Sequence, residues 1–144
     1  SCEIIWSRIV MKVLLDTHIA LWAISDDDKL PANFIKIIND SENEIFYSLV
    51  SVWEVAIKHY IKPEVMPITE EQFMDNCSRS GFKQLSIRSN HILNIKSLKR
   101  NCDSPKHNDP FDRLLISQAK TDGFIFLTHD SLLPYYNESC IKFE

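Results

Sequence analysis

Short apolar runs alternate with longer segments of helical periodicity along the chain from Lys12 onward. The first run covers residues 13–15, and residues 17–24 after it carry apolar side chains at helical spacing. Further strands are predicted at residues 45–50, 82–87, 124–127 and 140–143. Because strands that alternate with helices form parallel sheets, the pattern predicts an α/β domain with a mainly parallel central sheet.

Capping signals mark where several of these helices begin and end. Ser51 and Glu54 have the spacing of a capping box, which predicts that the third helix starts just after the second strand. Asp109 and the proline after it open the best-marked helix, and Gly123 ends it. The remaining signals are Pro31 at a helix start, Thr69 with Gln72 as a second capping box, and Gly81 as a helix stop.

The length and composition favour one globular domain. The chain has 144 residues, of which 44% are hydrophobic and 25% charged, and its apolar stretches are too short to span a bilayer. Residues 11–144 are interpreted as this domain, and residues 1–10, which show no clear period, as an upstream extension or a cloning remnant. Four cysteines without a C-x-x-C pair predict reduced thiols in a cytoplasmic protein: Cys2, Cys77, Cys102 and Cys140.

Glycine content and charge narrow the possible chemistry. The two glycines belong to no phosphate-binding loop or nucleophile elbow. The net charge of −4 argues against a protein that coats nucleic acid through bulk electrostatics. Residues 83–113 nevertheless carry seven basic and three acidic side chains. They could form either a solvated helix face or a strip that guides phosphates toward Asp112.

Four acidic residues lie just after predicted strands or in the first turns of predicted helices: Asp16, Glu54, Asp112 and Asp130. Since the carboxyl ends of parallel strands meet at one edge of a sheet, these side chains are expected to converge there. Each one alone has a structural explanation, because a carboxylate in a first helical turn contributes about 0.3 to 1 kcal/mol and an aspartate can start a turn. Together they would repel by up to about 4 kcal/mol per close pair, which a cation or a raised pKa would relieve.

Oxygen ligands without thiolates or paired histidines select a hard divalent ion, Mg²⁺ or Mn²⁺. The sequence contains neither H-x-x-H nor H-E-x-x-H. In this interpretation Asp16, Asp112 and Asp130 hold the metal, and Glu54 holds a second ion or orients the attacking water. Such a site would hydrolyse a phosphodiester without a nucleophile from the protein.

Four motifs resemble those of the PIN-domain ribonucleases, in particular the VapC-like toxins of bacterial toxin–antitoxin pairs. They are Leu-Leu-Asp-Thr-His at residues 14–18 with Trp22, Ser-Val-Trp-Glu at 51–54, His-Asn-Asp-Pro-Phe-Asp-Arg-Leu-Leu-Ile at 107–116 and Thr-His-Asp at 128–130. The resemblance implies a three-layer α/β/α sandwich and a Mg²⁺-dependent endoribonuclease that acts on RNA. It also implies a cognate antitoxin, frequent homodimers, an acidic quartet of Asp16, Glu54, Asp112 and Asp130, and Thr128 as a supporting residue. Ser117 stands where a small residue such as alanine is expected.

Several neighbours of these motifs have two interpretations. Asp109 is either only the helix N-cap or also part of the site. Arg113 either contacts an RNA phosphate or an antitoxin carboxylate, or is simply solvated. His18 and His129 flank site carboxylates and could bond to them, although neither is assigned as a base. Three aromatic side chains are expected to pack in the core: Trp22, Trp53 and Phe111.

Two other functions compete with hydrolysis by an activated water. One is a phosphatase that uses Asp16 as a covalent nucleophile, which is disfavoured because Thr17 and His18 follow without a second aspartate two positions on. The other is a non-catalytic module of similar fold that binds RNA or a protein. The presence of all four acidic residues argues against this degenerate form.

Overall fold

Five parallel strands form the central sheet in a computed structural model that describes residues 10–144. The strands are β1 (Lys12–Leu15), β2 (Glu44–Ser48), β3 (Lys83–Leu85), β4 (Ile125–Thr128) and β5 (Ile141–Phe143). Their order is β3-β2-β1-β4-β5, and every neighbouring pair runs parallel. The predicted parallel sheet is therefore confirmed. The proposed extension, residues 1–10, lies outside the described residues except for Val10.

Within residues 10–144, six α-helices connect the strands. They are α1 (Thr17–Ile24), α2 (Ala32–Asn39), α3 (Leu49–Ile61), α4 (Glu70–Arg79), α5 (Ser89–Leu93) and α6 (Pro110–Asp122). Short 3₁₀ turns cover Asn94–Ser97 and Leu133–Tyr135.

Hydrophobic cores lie on both faces of the sheet. Val13 and Leu15 of β1 point into one core with Phe34 of α2 and Phe73 of α4, whereas Leu14 points into the other with α6. This division follows from the alternation of side chains along a strand. Helices α1 to α4 cover one face and α5 and α6 the other, so the α/β/α sandwich implied by the resemblance is confirmed.

The start of α3 differs from the prediction. Strand β2 ends at Ser48, whose hydroxyl accepts a hydrogen bond from the backbone of Val50 at 3.0 Å and caps the helix. The predicted capping box of Ser51 and Glu54 is therefore wrong. Both residues lie inside α3, because the helix begins three residues earlier than the Ser51 signal indicated. Their three-residue spacing instead places them on one face of the helix.

The other helix signals agree with the structure, except that of Pro31. Thr69 and Gln72 form the predicted capping box, and Asp109 caps α6. Gly81 and Gly123 follow helices with φ angles of 83° and 73°, a left-handed conformation that favours glycine. Pro31 occupies the N-cap of α2 and not its first helical position.

Trp53 was expected in the core and is instead 49% exposed. It belongs to a row of outward-facing or half-buried apolar residues on α3, which we call the α3 stripe: Trp53, Ala56, Ile57, Tyr60 and Ile61. The buried face of α3 is formed by other residues, including Val52 and Val55. Both faces of this helix are apolar, so the sequence pattern did not distinguish them. Trp22 and Phe111 are partly buried against the two cores, as expected.

Three of the four cysteines carry free thiols, as the sequence predicts: Cys77, Cys102 and Cys140. The fourth, Cys2, lies outside the described residues. Between residues 10 and 144, no helix has the length and apolar character needed to cross a membrane.

Candidate active site

A cleft of about 310 Å³ opens at the carboxyl ends of β1 and β4. These strands pair with Leu15 opposite Leu127, so the residues that follow them lie side by side. The first turns of α1 and α6 and the middle of α3 complete the walls. The cleft is lined by Asp16, His18, Trp22, Glu54, Lys58, Asp109, Asp112, His129 and Asp130. All four predicted carboxylates therefore meet in one place.

Asp16 is held by two hydrogen bonds at the base of the cleft. It is only 5% exposed and caps α1, where its Oδ1 accepts a hydrogen bond from the Thr17 backbone at 2.8 Å. Its Oδ2 accepts a hydrogen bond from the Thr128 hydroxyl at 2.7 Å. Burial raises the pKa of Asp16 to about 7, although these two hydrogen bonds act in the opposite direction. The charges of Glu54 and Asp130 raise it further.

Asp112 lies in the first turn of α6 and is only 7% exposed. Asp109 positions this turn, since its Oδ1 accepts hydrogen bonds from the backbones of Phe111 and Asp112 at 2.9 and 3.1 Å. Burial raises the pKa of Asp112 to about 8, and the charge of Asp16 is the next largest cause. Repulsion from Asp16 therefore adds to the larger effect of burial.

Glu54 reaches the cleft from the second turn of α3 with both carboxylate oxygens engaged. Oε1 accepts a hydrogen bond from the Thr17 hydroxyl at 2.6 Å, and Oε2 lies 2.5 Å from Nζ of Lys58. The Thr17 hydroxyl also lies 2.8 Å from that of Ser51. Burial alone would lower the pKa of Lys58, but the hydrogen bond to Glu54 and the negative charge of Glu54 raise it above its usual value.

Lys58 was not anticipated from the sequence. Its signal was the four-residue spacing from Glu54, which places the two side chains on one helix face. That spacing is common on solvated helices and did not by itself indicate a site.

Asp130 starts a turn and also lines the cleft. Its Oδ1 accepts a hydrogen bond from the backbone of Leu132 at 2.9 Å, so its proposed role in starting a turn is correct. Its own backbone N–H donates to the Thr128 hydroxyl at 3.0 Å. Thr128 therefore connects Asp130 to Asp16.

His107 is a second residue that sequence reasoning missed. It is buried, with Nε2 3.2 Å from Oδ2 of Asp112 and Nδ1 2.8 Å from the Tyr136 hydroxyl. Ligand atoms of His107, Asp112 and Asp130 all lie within 4.8 Å of one another. The sequence signal was its position in the third motif, five residues before Asp112. That spacing matches no histidine motif for metals, so it was not singled out.

The outer wall of the cleft is aromatic. The ring of Trp22 lies 6.1 Å from His18 and 5.4 Å from His129. His129 bonds through Nδ1 to the main-chain oxygen of Glu144. Burial lowers the pKa of His18, as does the charge of Lys58. Within the described residues, neither histidine hydrogen-bonds a cleft carboxylate.

Two of the seven basic residues between positions 83 and 113 form ion pairs away from Asp112. Lys83 lies 3.3 Å from Glu44 at the start of β2, and Arg88 pairs at 2.6 Å with Asp122 at the far end of α6. Among residues 10–144, the lysine that lines the cleft is Lys58. Arg113 lies next to Asp112 in the first turn of α6 and has no ion-pair partner in the described part of the chain.

The side chains in the cleft fit a hard divalent cation. Asp16, Asp112 and Asp130 supply carboxylate oxygens, the donors that Mg²⁺ and Mn²⁺ accept. Burial first, and neighbouring negative charge second, raises the pKa of Asp16 and of Asp112, so both carboxylates lack stabilisation of their charged form. A cation would supply that missing stabilisation.

The comparisons with known proteins agree with this geometry. The family model of the PIN domain matches residues 13–137. No curated protein sequence matches the chain. Among solved structures, one similar chain comes from the VapBC2 complex of Rickettsia felis bound to a DNA fragment from its promoter. It is 14% identical, with a TM-score of 0.63 over 93% of this chain and 99% of that chain.

The matched region contains β1 from its second residue onward, β2 to β4, all six helices and the four carboxylates of the cleft. The structural likeness independently supports the same fold. The family suggested by the four sequence motifs is thereby confirmed: the chain belongs to the PIN domain family.

Proposed function

We propose that this protein is a Mg²⁺- or Mn²⁺-dependent endoribonuclease and the toxin of a toxin–antitoxin pair. The observation that carries the proposal is the burial of Asp16 and Asp112 in one cleft, with pKa values raised to about 7 and about 8. Paired acidic groups with pKa values shifted by burial and by each other are typical of functional sites. The membership in the PIN domain family supports the nuclease activity.

The cation would be held by Asp16, Asp112 and Asp130. Thr128, which hydrogen-bonds to both Asp16 and Asp130, would fix the relative positions of these two residues. When bound, such an ion activates a water molecule and neutralises charge on the phosphodiester. Glu54 is fixed by Thr17 and Lys58, and each carboxylate oxygen has a further acceptor position. We assign Glu54 to orienting the attacking water and not to binding a second ion, because Lys58 already neutralises it.

Lys58 offers a cationic group at the rim of this acidic cleft. One of its three N–H donors is directed to Glu54, so the others can bind a phosphate oxygen of RNA. Arg113 is a second candidate for such a contact, whereas Asp109 acts as the helix cap.

The covalent phosphatase is less well supported. Both oxygens of Asp16 accept hydrogen bonds, one from a backbone N–H and one from Thr128. These bonds hold the carboxylate in place and reduce its nucleophilicity. Labelled phosphate found covalently bound to Asp16 after incubation with a labelled phosphoester would instead support the phosphatase.

Incubation of the pure protein with total cellular RNA tests the proposal. We expect cleavage with Mg²⁺ or Mn²⁺ and none with EDTA, because the carboxylates alone cannot activate water at a useful rate. Cleavage that persists in EDTA would indicate a contaminating ribonuclease. Binding of RNA without cleavage in either metal would instead favour the non-catalytic module.

If the protein is the toxin of a toxin–antitoxin pair, it has a cognate antitoxin and acts in the cytoplasm, and we propose both. Five carboxylates line the cleft, so a basic segment of a partner protein could occupy it and block RNA. The similar solved chain belongs to a VapBC2 complex, which supports a protein partner.

A homodimer would cover the α3 stripe. Tyr60 is 89% exposed and lies beside Ile61, which is also exposed, so this helix presents an apolar face to solvent. We expect the protein to sediment as a dimer and Tyr60→Lys to convert it to a monomer. The matched control is Ile35→Lys, an exposed apolar position on α2, which should remain a dimer. A monomeric parent protein, or equal dissociation of both variants, would contradict this assignment.

A further inference from the structure

We propose that His107 supplies a nitrogen ligand to the cation held by Asp112 and Asp130, so that the site prefers Mn²⁺ to Mg²⁺. The inference rests on the proposed metal-dependent function and adds a residue outside the acidic quartet. It also commits to one of the two ions, which the carboxylates alone do not distinguish.

The separations between the ligand atoms fit one coordination shell. Ligands about 2.1 Å from an octahedral ion are about 3.0 Å apart when adjacent and about 4.2 Å apart when opposite. Nε2 of His107 lies 3.2 Å from Oδ2 of Asp112, close to the spacing of adjacent ligands. All three ligand atoms, including that of Asp130, fall within 4.8 Å of one another. The three side chains could therefore contact a single ion with small adjustments.

The ring of His107 is held with Nε2 toward the carboxylates. The Tyr136 hydroxyl contacts Nδ1 at 2.8 Å, and the two rings meet edge to face at 5.4 Å. Histidines that bind metals almost always have a partner on the second ring nitrogen, which fixes the orientation of the ring. Tyr136 is buried and occupies that position.

Arg100 fixes Tyr136 and the loop that carries His107. Its guanidinium lies 4.9 Å from the centre of the Tyr136 ring, and its NH2 group bonds to the main-chain oxygen of Pro105. A bridge between Arg100 and Tyr136 joins the two segments through the backbone. The loop before α6 therefore holds the imidazole in one orientation. A histidine that faced solvent would not have these contacts.

A simpler role for His107 is to orient Asp112 through their hydrogen bond. The two roles differ in what they predict for metal selectivity. Mn²⁺ and Mg²⁺ both favour oxygen ligands, but Mn²⁺, as a transition-metal ion, accepts an imidazole nitrogen more readily than Mg²⁺ does. A ligand role makes the loss of His107 more costly for Mn²⁺ than for Mg²⁺, whereas an orienting role weakens both ions equally.

Electron spin-echo measurements on the full chain with bound Mn²⁺ test the proposal directly. We expect a coupling to a directly bound nitrogen, which should change from the ¹⁴N to the ¹⁵N pattern when the histidines are labelled with ¹⁵N. This measurement needs no substitution, so it does not depend on whether a variant folds.

Affinities of His107→Gln provide the second measurement. We expect Mn²⁺ binding to weaken by about tenfold or more and Mg²⁺ binding by less than about threefold. The matched control is His59→Gln, whose imidazole bonds the main-chain oxygen of Met66 outside the cleft. It should retain both affinities and the nitrogen coupling.

Mn²⁺ bound without nitrogen coupling, or equal weakening of both ions, would overturn the inference and leave the proposed nuclease intact. A nitrogen coupling that survives in His107→Gln would assign the ligand to another histidine and also overturn it. Absence of metal binding in the parent protein would remove the metal-dependent function itself and the inference with it.

Discussion

Replacing Asp112 with asparagine is expected to lower metal-dependent RNA cleavage by about 10³-fold. The substitution keeps the shape of the side chain but removes a charge that faces Asp16 and Asp130 in the cleft. A bound cation contributes several kcal/mol to the stabilisation of the transition state, and each 1.4 kcal/mol corresponds to about tenfold in rate. The measurement is the initial rate of cleavage of a labelled RNA at saturating Mg²⁺ or Mn²⁺.

Asp109→Asn is the matched control for this experiment. Asp109 lies in the same cleft and only three residues earlier, but its Oδ1 is committed to capping α6. Asparagine caps helices as well as aspartate does, so the rate should change by no more than about threefold. Equal cleavage by Asp112→Asn and the parent protein would refute the assignment of Asp112, as would equal loss in the two variants.

The sequence predicted the elements whose signals are local. The aspartate before α6, the proline at its first position and the glycine after it specify both ends of that helix, whatever surrounds it. The parallel sheet followed from the alternation of strands and helices. The convergence of the four carboxylates then followed from the rule that the carboxyl ends of parallel strands share an edge.

Competition between nearby signals explains the error at α3. Ser48 and Ser51 both offer a hydroxyl that can cap a helix, and only Ser51 has a carboxylate at the capping-box distance. The end of β2 decides between them, because its last residue pairs with Leu85 of β3. That pairing is a tertiary contact, so the local pattern chose the wrong serine.

Long-range contacts also explain why Lys58 and His107 were missed. The significance of Lys58 depends on Glu54 facing inward, which follows from the early start of α3. His107 is oriented by Tyr136, which lies 29 residues further along the chain. The four-residue spacing of Lys58 from Glu54 also occurs on many solvated helices, and the separation of His107 from Tyr136 matches no periodic pattern. Each carboxylate, in contrast, could be placed by the strand or helix that precedes or contains it.

Without added metal, the free energy of unfolding is expected to fall by a few kcal/mol between pH 5 and pH 8. Both carboxyl groups have an ordinary pKa of 3.8, which the fold raises to about 7 for Asp16 and about 8 for Asp112. Between these values the folded protein binds more protons than the unfolded chain, so stability decreases as pH rises and levels off above about pH 8. For a domain of this size the loss corresponds to about 10 °C in Tm.

The difference between the parent protein and Asp112→Asn isolates this effect from other titrating groups. The variant carries no charge at position 112 and removes repulsion at Asp16, so its Tm should fall less between pH 5 and pH 8 and exceed that of the parent at pH 8. Added Mg²⁺ or Mn²⁺ should stabilise the parent by about 2.7 kcal/mol at 100 times its Kd, and more weakly at pH 5 at the same metal concentration, because protons compete for the same oxygens. Thermal melts across this pH range, with and without metal, measure both effects. A parent protein whose melting ignores pH and metal alike would show that the cleft carboxylates neither repel one another nor bind a cation.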